Sequence, residues 1–359
     1  MSNVKDMFSK PSLSDLATKL VSLYNTFPSD IFIQKIFNDN WDNLEMFARM
    51  SHIAKALSQT LPVNFVTSLG SINTIIPSCN TAQGMVLMHY ISECGLEHLN
   101  ESTKTIANIT KHTTGEFAVR PFIDKYPDEM LHIMMDWTKS EDEHVRRLAS
   151  EGSRLAIPWG GRLQTVKKKP GYALPILEAI KDDPSEYVRK SVANNLNELS
   201  KIAPDLVVTT GQRWLNGGSK NTEKIIKHAC RTMLKKAYPP VLELFGLAKP
   251  MGISVKILSC TAITRLNDDL TFSFEINNES AEGMKIRIGY DIGFIKANGQ
   301  LKFKENRISE RNCPPGKILI TRKHTINETS SRRIYPGLHE LIITINGNEM
   351  AKTTFEIVE

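Results

Sequence analysis

Apolar residues in the first two thirds of the chain recur every three or four positions. Leu13, Leu16, Leu20 and Leu23 form one stripe, and Trp41, Leu44, Phe47 and Ala48 form another that Ile53, Ala54 and Leu57 continue. This spacing predicts amphipathic helices. Pro28, Pro62 and Pro77 fall in the gaps, where the residue before a proline is pushed out of the helical region. From Ser254 onward the period drops to two, in SVKILSC, DLTFSFEINN, MKIRIGYDIGFI, KILITRKHTI, HELIITING and KTTFEIVE. Asn277-Asn278, Asn298-Gly299 and Asn346-Gly347 supply turn signals. About seven short strands in roughly 105 residues predict an immunoglobulin-like β-sandwich, here on strand number alone because the Cys…Trp…Cys pattern is absent. The period changes after Pro239-Pro240 and a last helical stretch, LELFGLAKP. The expected organisation is therefore an all-α domain over residues 1–250 and an all-β domain over 251–359.

Two segments of the helical part read almost as copies: SEDEHVRRLASEGSRL (Ser140 to Leu155) and DDPSEYVRKSVANNLNEL (Asp182 to Leu199). A looser third, TEKIIKHACRTML, runs from Thr222 to Leu234. Val145-Arg146-Arg147, Val188-Arg189-Lys190 and Ile226-Lys227-His228 align, with periods of about 43 and 38 residues, the range of two-helix HEAT-type repeats. Such pairs bury their apolar faces by stacking into a solenoid, and one set of helices lines a groove. If the second helices line it, Arg146, Arg147, Glu151, Arg154, Arg189, Lys190, Asn194, Lys227 and Arg231 are spread along one surface. Basic groups so arranged suit a polyanion. In the second copy Val188, Val192, Leu196 and Leu199 make a core face, while Arg189, Lys190, Ser191, Asn194 and Asn195 make a polar face that a core should not accommodate.

Candidate chemistry concentrates after Thr114, which can cap a helix. Glu116 and Arg120 stand four apart on one face with Phe117 beside them, a spacing that serves a surface ion pair as readily as a site. Glu151 lies between Arg147, one turn before, and Arg154, one turn beyond. Positive charge on both sides favours the anion, which fits a catalytic carboxylate and a structural ion-pair ladder alike. Trp159, in the Gly-rich connection Ile157 to Gly161, is either a core plug or an aromatic face for a ligand. Lys167-Lys168-Lys169 is a solvated loop or a phosphate contact. In the tail, Glu305 to Lys323 and then Ser330-Ser331-Arg332-Arg333 read as charged loops, either merely solvated or gripping a duplex.

Composition narrows this little. The formal charge of +6 permits a nucleic-acid partner without requiring one. Cys79, Cys94, Cys230, Cys260 and Cys313 include no CxxC pair or His/Cys cluster, which argues for reduced thiols in the cytoplasm and against zinc. No apolar run reaches the ~18 residues that span a bilayer.

GEFAVRPF (Gly115 to Phe122), VRRLASEGSR followed by IPWGGRL (Ile157 to Leu163), DDPSEYVRKSVANNLNEL and IKHACR (Ile226 to Arg231) together resemble DNA alkylation repair glycosylases of the AlkC/AlkD type, with the order and spacing of the AlkC branch. The resemblance covers nearly all of residues 1–250, and members of that branch often carry a C-terminal immunoglobulin-like domain. It implies a monofunctional glycosylase acting on alkylated double-stranded DNA without cofactor or metal. The cysteines and the polar N-terminus add the expectation of a cytoplasmic protein, nucleoid-associated during repair, and the lack of a heptad stripe or advertised strand edge that of a monomer. It implies Glu116, Glu151 and Trp159 as catalytic residues. For DNA contact it points to Phe117, Arg120, Arg146, Arg147, Arg154, Arg189, Lys190, Ser191, Asn194, Lys227, His228 and Arg231. N3-methyladenine and N3-methylcytosine are the expected lesions, since their positive charge makes them good leaving groups. A non-catalytic HEAT protein that binds DNA or an acidic protein is the competing expectation. Two carboxylates inside a basic groove favour the enzyme, because a simple binder should avoid groups that repel phosphate.

Overall fold

The computed structural model describes residues 4–247, 249–329 and 333–358. Ser330, Ser331 and Arg332 lie outside the described residues. The chain divides into two compact units, Met1–Val207 with Arg213–Ala229, and Val208–Gln212 with Cys230–Glu359.

The helices are α1 (Lys10–Leu23), α2 (Ser29–Ile36), α3 (Met46–Thr60), α4 (Phe65–Ile75), α5 (Thr81–Cys94), α6 (Leu99–Ile109), α7 (Glu116–Lys125) and α8 (Pro127–Trp137). They continue with α9 (Glu143–Gly152), α10 (Gln164–Lys168), α11 (Leu174–Ala179), α12 (Glu186–Leu199), α13 (Pro204–Leu215), α14 (Lys220–Ala229), α15 (Arg231–Lys235) and α16 (Pro239–Leu244). In the first unit α3, α5, α7, α9, α12 and α14 pack in series, each on the next, while α4 packs on α6 and α8 on α11. This is the stacked-pair arrangement that the repeat spacing predicts. The aligned anchors Val145, Val188 and Ile226 are all buried. Helix starts follow side-chain chemistry: Asn80 and Gln83 form a reciprocal capping box on α5, and Asp142 accepts from the His144 and Val145 amides of α9. Trp41 departs from the helical expectation, lying in a 3-10 turn ahead of α3.

In the second unit the strands are β1 (Ile253–Cys260), β2 (Ile263–Arg265), β3 (Asp269–Asn278), β4 (Met284–Ile295), β5 (Leu301–Cys313), β6 (Gly316–Thr325), β7 (Gly337–Ile345) and β8 (Asn348–Val358). They form a three-stranded sheet, β1-β3-β6, and a five-stranded sheet, β2-β8-β7-β4-β5. Phe272, Phe274 and Ile276 from one sheet and Ile288, Ile292, Ile343 and Phe355 from the other share a single apolar core. Each large side chain buried there contributes roughly 1.5–3 kcal/mol. α15 and α16 belong to this unit as well. Asn346 and Gly347, both at positive φ, make the β7–β8 turn, and a Cβ on Gly347 would stand 1.9 Å from the Ala237 Cβ, so the turn seats where only glycine fits.

The segment read as charged loops is strand. β5 carries Lys302, Lys304, Glu305, Arg307, Glu310 and Arg311, and β6 follows it directly. Alternation fails in β5 because it is an edge strand paired only to β4, and charge on an edge discourages pairing with other chains. Its charges meet partners on β4 and along β5 itself: Glu310 lies 3.3 Å from Lys285 across the ladder and 3.7 Å from Arg307 on its own strand, and Glu305 lies 4.0 Å from Arg287 on β4.

Candidate functional site

Helix α7 opens on Glu116. Thr114 does not cap it; Gly115 occupies the cap position, and the Thr114 hydroxyl donates to Glu116 Oε2. Nor does Arg120 pair with Glu116. Arg120 is 8% exposed, and its guanidinium donates to the carbonyls of Arg154 (2.7 Å), Leu155 (3.2 Å), Gly161 (2.6 Å) and Gly152 (3.4 Å). Burial pulls its pKa down to about 10, so it remains a cation at neutral pH.

The two carboxylates singled out in the sequence come together through Arg147. Its Nη1 is 3.6 Å from Glu116 Oε2, and its Nη2 is 3.8 Å from Glu151 Oε1. Arg154 Nη1 also donates to Glu151 Oε1, and the Ser191 hydroxyl donates to Oε2 at 2.6 Å. Glu151 is thus held at both oxygens and is 5% exposed. Glu116 Oε1, by contrast, has no partner among the described residues. The Arg147 guanidinium lies over the Tyr187 ring at 4.8 Å, and His144 meets the same ring edge-on at 5.6 Å. A cavity of about 200 Å³ lined by Thr113, Thr114, His144, Arg147 and Tyr187 opens there. Sequence reading missed Tyr187, which is visible only as the residue one turn from Ser191 on the helix that faces α9.

Trp159 is 70% exposed, which excludes a core plug, and it occupies a left-handed backbone conformation at φ 61°. The ring of Phe117 is 5.4 Å from that of Phe47, and its Cε1 is 3.3 Å from where a Cβ on Gly160 would stand, beside Trp159.

The polar face expected on α12 divides. Ser191 and Asn195 are buried, with Asn195 donating to Ser150 O at 2.7 Å and to Ser153 Oγ at 3.2 Å. Ser191 and Asn195 therefore form a polar seam with α9 that fixes Glu151, and Ser191 is not presented to a ligand. The first basic residue of the first two copies is likewise engaged by the backbone that precedes its own helix. Arg146 Nη1 donates to Ser140 O and Glu141 O, both at 2.9 Å, and Arg189 Nη1 donates to Asp183 O (2.6 Å) and Pro184 O (2.8 Å). Each arginine ties its helix to carbonyls five and six residues earlier. Arg146 adds a fork on Asp183 at 2.6 and 3.0 Å.

Lys190 and His228 are exposed and, with Arg189 and Lys224, line a cavity of about 330 Å³ against α12 and α14. His228 Nε2 is 3.1 Å from Asn194 Oδ1, and Lys227 lies on the same helix, half-buried. Arg231 falls in the second unit. A serine, histidine and glutamate also meet at Ser51, His89 and Glu93, but Ser51 Oγ (2.9 Å) and Glu93 Oε1 (3.1 Å) both approach His89 Nε2. A histidine approached twice at one nitrogen cannot relay a proton between the two.

Comparisons with known proteins agree with this architecture. A family model described as "DNA alkylation repair enzyme" matches residues 93–236, and one described as "Uncharacterised protein YhaZ, C-terminal Ig-like domain" matches residues 255–359. "Uncharacterized protein YhaZ" of Bacillus subtilis (strain 168) is 35% identical over 359 residues, covering 99% of this chain and 100% of that one. The solved structure of Pseudomonas fluorescens alkylpurine DNA glycosylase AlkC, bound to DNA containing an abasic site analog, superposes with a TM-score of 0.89 at 27% identity. That match covers 99% of this chain and 100% of the other. With a helical-repeat unit, an Ig-like unit and full-length similarity to YhaZ and AlkC, the chain belongs to the YhaZ family, in the AlkC branch of the AlkC/AlkD-type DNA alkylation repair proteins.

Proposed function

We propose that this protein is a monofunctional DNA glycosylase that hydrolyses the N-glycosidic bond of cationic alkylated bases, N3-methyladenine and N3-methylcytosine, in duplex DNA. One observation carries the reading: Glu116 and Glu151, from separate helices, meet at the single guanidinium of Arg147, and the loop that follows α9 presents an exposed tryptophan, Trp159. A base made cationic by methylation departs neutral, taking the electron pair of the broken C1′–N bond. The barrier is the positive charge left on the sugar, as in glycoside hydrolysis. Glu151, gripped at both oxygens, is the fixed counter-charge. Glu116, with one oxygen unengaged, orients the water that adds to C1′ and receives its proton. The exposed face of Trp159 favours the cationic base over a neutral one.

Phosphate contacts fall in this reading to Lys190, Asn194, Lys227 and His228, with Phe117 close to the lesion. Arg120, Arg146, Arg189 and Ser191 hold the scaffold, and Arg154 holds Glu151. Arg231 and the β-domain basic residues add DNA contacts of their own. The protein works as a cytoplasmic monomer; its charged edge strands β5 and β6 are poor templates for strand pairing between copies. Similarity to a DNA-bound alkylpurine glycosylase over the whole chain supports this assignment.

The test is base release. Purified protein incubated with methylated duplex DNA in EDTA should liberate N3-methylated bases, resolved by chromatography. DNA binding without release would replace the enzyme with a HEAT-type DNA binder.

A further inference from the structure

The segment that presents Trp159 has two legs and little regular structure. Its φ of 61° is one that side chains with a Cβ avoid unless their surroundings impose it. Burial of the indole does not impose it, since the ring is mostly exposed. The legs are joined above by a bridge between Ala156 and Arg162 and by Leu163 N donating to Leu155 O at 2.9 Å. They are joined below by Arg120, whose donors reach Arg154 O and Leu155 O on the entering leg and Gly161 O on the leaving leg. A planar fork can span two strands of backbone in this way, whereas a lysine ammonium cannot. One turn further along α7, Asp124 accepts from the amides of Gln164 (3.2 Å) and Thr165 (2.8 Å), which fixes the start of α10 and so the exit of the same segment. Glu116, Arg120 and Asp124 are spaced by four, on one face of one helix.

We propose that Arg120 and Asp124 are positioning residues that hold the Trp159 loop at a fixed distance from the Glu116 carboxylate, with α7 as their common frame. The inference rests on the glycosylase reading for its catalytic consequence, while the positioning itself is observable without catalysis.

The experiment uses the full chain labelled with 5-fluorotryptophan, the Trp159 resonance being identified with W159F. In Arg120→Lys that resonance should shift or broaden while those of Trp41, Trp137 and Trp214 stay put. Single-turnover base release should fall on the order of 10- to 100-fold, with the duplex Kd changed by less than about threefold. In a Trp159→Ala background Arg120→Lys should add less than about a threefold loss, because the residue acts through the loop. Asp124→Asn should move the same resonance less far, and it carries the test if Arg120→Lys does not fold. An unmoved Trp159 resonance, or an equal loss with and without Trp159, overturns the proposal. If the wild type releases no base, the glycosylase reading fails, and the resonance alone decides the positioning.

Discussion

Glu151 has little freedom to turn: arginines engage one carboxylate oxygen and a buried serine hydroxyl the other, while Glu116 keeps an oxygen unengaged. The two should therefore respond differently to neutralisation. Glu151→Gln is expected to lower base release on the order of 10²- to 10³-fold and also to cost about 3 kcal/mol of stability, since it strands Arg154 beside a buried amide and leaves Arg147 with Glu116 alone. Glu116→Gln should lower the rate by a similar factor and leave thermal stability nearly unchanged. Single-turnover kinetics and thermal melting on both variants check this; a stability loss shared equally would erase the distinction. At this scale the sequence was most legible where spacing alone sets geometry. Arg147 and Arg154 on either side of Glu151 follow from the helical period. The meeting of Arg147 with Glu116 was not legible, because it depends on how α7 and α9 pack. Arg120 was misread for a related reason. Four carbonyls, one at the end of α9 and three in the loop that follows it, leave no mark in composition or period.

At the scale of elements, the aligned VRR and VRK tripeptides divide their labour. The first basic residue closes on the loop behind its own helix, and in the second copy the next one stands exposed. Arg189→Ala should cost about 1–2 kcal/mol in urea denaturation, the value of hydrogen bonds given up by a charged donor. Its effect on the salt dependence of duplex binding should be small. Lys190→Ala should leave stability within about 0.5 kcal/mol and lower the salt slope by about one. A lowered slope for Arg189→Ala with stability intact would reverse the two roles. The repeat period located these helices well. It could not foresee that Ser191 and Asn195 would be buried, since a seam of hydroxyls and amides satisfied between two helices looks in sequence like a solvent-facing surface. β5 escaped notice because an edge strand needs no apolar alternation, and β2 because three residues are too few to display any.

At the scale of the whole molecule, the second unit carries a titrating pair. Asp291 and Glu305 stand opposite each other on β4 and β5. Burial, reinforced by the Asp291 charge, raises Glu305 to about 7, and burial raises Asp291 as well, against the opposing pull of Lys235. A carboxyl whose folded pKa is raised stabilises most below its ordinary value near 4.5 and loses that contribution as pH rises through about 7. The unit should accordingly melt several degrees lower at pH 8 than at pH 5, on the order of 1 kcal/mol, and Glu305→Gln should remove most of the difference. Differential scanning calorimetry at the two pH values reads it directly; an unchanged difference in Glu305→Gln would assign it elsewhere. In the second copy, the pairing of the loop-holding Arg189 with the outward Lys190 separates what inheritance must keep from what it can vary. Lys or His can occupy the second position, as Lys190 and His228 do, whereas Arg147 at that position is committed to Glu116 and Glu151. Grip on a polyanion can thus drift or be reselected one repeat at a time on an unchanged scaffold.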